Sequence, residues 1–60
     1  MEIFIEIKDD KHYVGKMDGN VKLYIDKQLQ LNRYQGAKGY VLTYEKAVKL
    51  VMKILNGEIR

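Results

Sequence analysis

KHYVGKMDGNVKLYI, residues 11–25, is the stretch that decides the fold. Two apolar-periodic runs, Lys11 to Met17 and Val21 to Ile25, flank Asp18-Gly19-Asn20. An Asp-Gly pair between such runs is a strong hairpin signal. A two-residue loop would set Lys16 opposite Val21 and His12 opposite Ile25. A three-residue loop over 18–20 pairs Met17 with Val21, Gly15 with Leu23 and Tyr13 with Ile25. The second register gathers one apolar face and leaves Lys16 and Lys22 outside, so it is the expected one. One step of slip would exchange the faces.

Upstream, EIFIEIK (residues 2–8) alternates with period two. Ile3, Ile5 and Ile7 share one face; Glu2, Phe4, Glu6 and Lys8 share the other. β-branched residues at alternate positions predict a half-buried strand, and Asp9-Asp10 supplies the turn after it. Downstream of Ile25 the alternation weakens through Leu29 and Leu31, which fits one strand bent near Asp26-Lys27 or two short strands. Residues 32–39 read as a loop bracketed by Gly36 and Gly39.

The last element is an amphipathic helix. Thr43 is a good N-cap, Glu45 suits the positive helix start, and Asn56-Gly57 is a natural stop. Its apolar residues, from Tyr44 to Leu55, fill an arc of roughly 200°. A helix resting on one sheet needs a stripe only somewhat over ~100° wide, so hydrophobic surface is left over. The expected fold is α+β: a small antiparallel sheet of three or four strands with one C-terminal amphipathic helix packed across a face. Residues 1–60 form a single compact domain in this reading.

Composition narrows the function. The chain has no Ser, Cys, Trp or Pro, one Thr and one His. Most of the nucleophiles and bases of enzymes are thereby missing. His12 has no second His or Cys to share a metal or a proton. Glu2 and Glu6 lie about 13 Å apart along a strand, beyond the roughly 5–9.5 Å of glycosidase acid pairs. The expectation is a non-enzyme without cofactor or metal. A domain of this size has a small core and, lacking Cys, no disulfide to support it. No run reaches the roughly 18 apolar residues of a membrane span, and Met1-Glu2 begins no secretory signal, so a complete, cytoplasmic chain is expected.

The net charge of +3 is unevenly spread. Residues 1–10 are acidic, and the lysines crowd the hairpin, the middle segment and the helix. Tyr13, Tyr24, Tyr34, Tyr40 and Tyr44 are interspersed with Lys16, Lys22, Lys27, Arg33 and Lys38. Rings and cations in this mixture suit protein hot spots or single-stranded nucleic acid. Tyr44, on the helix's apolar face, and Tyr13 are read as core rather than as binding residues. The expected partner-binding set is Tyr24, Arg33 and Tyr34 as anchors, with Lys16, Lys22, Lys27 and Lys38. Leu50, Ile54 and Met52 are the expected dimer or docking edge of the helix.

The stretch GYVLTYEKA, residues 39–47, resembles the strand-to-helix junction in small sheet-plus-helix domains of phages and mobile elements. The N-terminal arm-binding domain of tyrosine recombinases, three strands followed by a helix, is one such group. The likeness covers the last third of the chain and the hairpin pattern, and it lacks an Arg-rich sheet and a catalytic domain. In size and composition the chain is also similar to the compact inhibitors of host defence made by phages, anti-CRISPR proteins among them. The resulting expectation is a small binding protein that occludes a surface of a host or cognate protein. The alternative is a nucleic-acid-binding module using a basic, Tyr-containing sheet face. A second copy of the chain is the remaining partner, and no membrane is involved.

Overall fold

Two tight turns set the sheet. In the computed structural model, which describes residues 2–60, β1 (Ile3–Lys8) turns through Asp9-Asp10 into β2 (Lys11–Asp18). Asp9 and Asp10 both take positive φ, 52° and 64°, as a type I′ hairpin demands. Gly19, at φ 60°, leads the Gly19-Asn20 turn into β3 (Val21–Ile25). A short β4 (Leu31–Asn32) completes an antiparallel sheet in the order β1-β2-β3-β4.

The second hairpin takes neither expected register. Asp18 pairs with Val21, Lys16 with Leu23 and Gly15 with Tyr24. The cause lies in the first hairpin. Its two-residue turn places Ile5 opposite Val14 and Ile3 opposite Lys16, so Val14 points with the isoleucines into the core. Tyr13 and Gly15 must then face the other way. Ile25 pairs with neither His12 nor Tyr13 but with Leu31 of β4.

Past Ile25 the chain makes two short strands rather than one bent strand. The Asp26 carboxylate accepts the Gln28 and Gln30 amides, both at 2.9 Å, and closes a turn in which Leu29 is held at φ 61°. A 3₁₀ turn over Gln35–Ala37 follows. Segment 38–41 then fills the gap where β2 and β3 part, bridging Lys38 to Asp26 and Val41 to His12. A Cβ on Gly39 would come within 2.7 Å of the Asp26 carbonyl oxygen, so this close approach requires glycine.

Helix α1 (Tyr44–Leu55) starts where the Thr43 hydroxyl accepts the Lys46 amide at 3.2 Å. It packs on the Ile3/Ile5 face of the sheet. Val14, Ile25, Ala47, Ile54 and Ile59 form the buried cluster, with Ile3, Ile5, Leu31, Val41, Leu50 and Val51 around it. The tail returns to the sheet, where the Leu31 amide donates to the Arg60 carbonyl at 2.9 Å. No helix among the described residues is long and apolar enough to cross a membrane.

Candidate functional site

With α1 on one side, the opposite face of the sheet is left open. Strand alternation and register place Phe4, Gly15 and Tyr24 in one row across it, Glu6 and Tyr13 in the next, then Lys8 and Lys11. Gly15 has no side chain, so the flanking rings lean over it. Phe4 and Tyr24 meet edge to face with centroids 5.3 Å apart. Tyr13 and Tyr40 make a second such pair at 6.1 Å.

Ammonium groups rest on these rings. Lys22 Nζ lies 5.5 Å from the Phe4 centroid and Lys11 Nζ 4.9 Å from that of Tyr40. Lys38 Nζ serves two rings, 4.1 Å from Tyr24 and 5.4 Å from Tyr13. All of these distances are within cation–π range. Glu6 sits among them. It accepts Lys22 Nζ at 2.6 Å and the Tyr24 hydroxyl at 2.8 Å. These bonds, Lys22 first, hold the Glu6 carboxyl below the usual glutamate range. Burial, then the bond to Glu6, pushes the Tyr24 hydroxyl up, and Glu6 raises Lys22.

The expected binding set is dispersed by the fold. Tyr24 is buried, only 4 % exposed, and is the floor of the open face rather than a protruding anchor. Arg33 and Tyr34 are exposed on the loop after β4, with the Tyr34 amide bonded to the Asn32 side chain. The ring of Tyr34 lies against Gly36, within 2.8 Å of where a Cβ would stand. Of the two glycines that bracket this loop, Gly39 is thus required by backbone packing, whereas Gly36 meets only the exposed, movable Tyr34 ring. Lys22 and Lys38 belong to the open face. Lys16 points to the helix side, lining a groove with Leu55 and Arg60, and Lys27 lines a cavity elsewhere.

The expected edge of the helix is also corrected. Ile54 is buried and Leu50 packs against the core, because both point at the sheet. Met52 is exposed, and its neighbours along the helix surface are Tyr44, Val48 and Leu55, all exposed; Tyr44, expected in the core, instead stands beside the sheet-facing side of the helix and faces out. The spare hydrophobic stripe is therefore on the Met52 side alone.

Phe4 and Lys11 lie outside every candidate group the sequence suggests, and Tyr13 and Tyr40 belong to its mixture of rings and cations but not to the expected binding set. Phe4 on the polar face of β1 was the available signal. Grouping it with the tyrosines requires the correct register of β2.

The cavity lined by Lys27 has a volume of about 340 Å³ and is bounded by His12, Ile25, Asp26, Tyr40 and Leu50. His12 Nδ1 is enclosed and has no hydrogen-bond partner among the described residues. No three His, Cys, Asp or Glu side chains among those residues are grouped so as to hold a metal ion. Compared with known protein families, curated proteins and solved structures, the chain matches none. The fold itself is a four-stranded antiparallel sheet with one C-terminal helix, of the α+β class.

Proposed function

We propose that this protein is a non-enzymatic, cytoplasmic binding protein that covers a functional surface of a protein partner, as the small inhibitors of phages and mobile elements do. The observation that carries this reading is the unpartnered stripe of α1. Tyr44, Val48, Met52 and Leu55 follow one another at spacings of four, four and three, so they lie on one line down the helix. They are exposed by 61 %, 37 %, 52 % and 55 %. The rest of the apolar arc is spent on the sheet.

Charge narrows the partner. Beyond Glu45 and Asn56, Lys49, Lys53 and Lys46 border the stripe on the side away from the sheet. A matching surface is an apolar groove with carboxylates along one rim. A second copy packed antiparallel on the same stripe would bring its lysine row against this one, which disfavours that pairing. Arg33 and Tyr34, exposed on their loop, supply a further contact.

The test compares proteins retained from a host lysate by the wild-type chain and by Met52→Glu, with circular dichroism verifying that the variant is folded. A partner held by the wild type and lost from the folded variant supports the reading. Identical retention by both, or a wild-type homodimer that Met52→Glu dissociates and no other ligand, overturns it.

A further inference from the structure

We propose that the open face of the sheet is a separate binding site for single-stranded nucleic acid. It lies on the side of the sheet opposite α1, so it stands or falls independently of the helix stripe.

Charge comes first. Lys8, Lys11 and Lys22 project from the strands on this face, and Lys38 reaches over it from the following loop, against Glu2 and Glu6. One of those carboxylates is already engaged, since Glu6 bonds both Lys22 and Tyr24. The face is thus a positive surface whose central negative charge is compensated internally.

The rings decide which polyanion fits. Phe4 and Tyr13 are half-buried and Tyr40 is exposed, and each has an ammonium within 5.5 Å of its centre. A phosphate that pairs with such an ammonium draws it off the ring and opens the aromatic surface to a base. Unpaired bases stack on rings with little regard to sequence. A duplex keeps its bases inside, where the rings of this face cannot stack on them. Backbone neutralisation by lysine with base stacking on Phe4, Tyr13 and Tyr40 is therefore the recognition this surface offers.

The test is fluorescence anisotropy with a labelled oligo-dT of about a dozen nucleotides at roughly 50 and 200 mM salt. Three phosphates neutralised by Lys8, Lys11 and Lys38, the lysines not held by Glu6, predict a log–log salt slope near −2, hence about a 20-fold loss across that range. Lys38→Gln should cut the loss to about 7-fold. Tyr40→Ala should weaken binding about 5-fold or more at both salts with the slope unchanged, while Tyr40→Phe binds like wild type. Glu6→Gln, which frees Lys22, should tighten binding. Met52→Glu should leave it unchanged, which separates this site from the helix stripe.

No binding at the lower salt overturns the proposal. So does equal binding to duplex DNA and to inorganic polyphosphate with Tyr40→Ala indifferent, because that pattern is plain attraction between charges.

Discussion

Phe4 and Tyr24 touch although their strands are not neighbours. β2 runs between β1 and β3, and the two rings meet over it with centroids 5.3 Å apart because the residue beneath them is Gly15. A Cβ there would sit 2.6 Å from the Phe4 ring and would collide with the Leu23 carbonyl, which is backbone and cannot move aside. Gly15→Ala should therefore destabilise the fold by about 1–3 kcal/mol in urea denaturation, as overpacking does. A variant as stable as wild type would show that the rings do not depend on this gap.

The network over that row predicts a two-sided pH dependence. Lys22 and Tyr24 hold the folded-state pKa of Glu6 down, so its contribution is present above the unfolded value near about 4.3 and is lost as pH falls through the lower folded one. Tyr24 and Lys22 are raised, so theirs are present below unfolded values near about 10 and are lost as pH climbs through the folded ones. Thermal melts should show a plateau with a shoulder on each side. Glu6→Gln should remove the acid shoulder and only reduce the alkaline one, because burial, the first cause of the Tyr24 shift, remains. The amplitude will be small, because the Glu6 side chain keeps 36 % exposure and water screens the pair.

The turn after β3 holds two opposite predictions. Asp26 is buried and accepts two backbone amides through one oxygen, so Asp26→Ala should cost about 1–3 kcal/mol. Three residues on, Leu29 occupies a left-handed conformation at φ 61° that a side chain resists by about 1–2 kcal/mol. Leu29→Gly relieves that strain and loses part of the gain to chain entropy, for a net stabilisation of up to about 1 kcal/mol. Chemical denaturation of the two variants should move the midpoint in opposite directions.

At the helix start, the Thr43 hydroxyl satisfies the Lys46 amide. Thr43→Ala should lower stability by about 1 kcal/mol, and Thr43→Asp should restore it. Equal melting of all three chains would mean that the cap contributes nothing here.

What could be read from sequence was local. Thr43 and Asn56-Gly57 bound the helix by their own chemistry, Asp9-Asp10 made a turn, and the alternation of β1 divided its isoleucines from Phe4 and Glu6 correctly. What could not be read depended on partners distant in sequence. Val14 points inward because Ile5 lies across from it, and only then do Tyr13 and Gly15 fall on the open side. Lys38 over Tyr24 and Lys11 over Tyr40 are contacts between segments that no periodicity links. Lys22 and Lys38 could be picked out as basic, but the aromatic surface they share could not.

The bond between the Leu31 amide and the Arg60 carbonyl has a consequence for assembly. It occupies the outer margin of β4, whereas β1 stands at the other end of the sheet with its outer margin free among the described residues. Two molecules that joined margin to margin would pair β1 with β1, and that contact would use up the free margin of both. Growth would stop at two. A sheet shut at one end in this way offers no strand-to-strand route to an open-ended fibre.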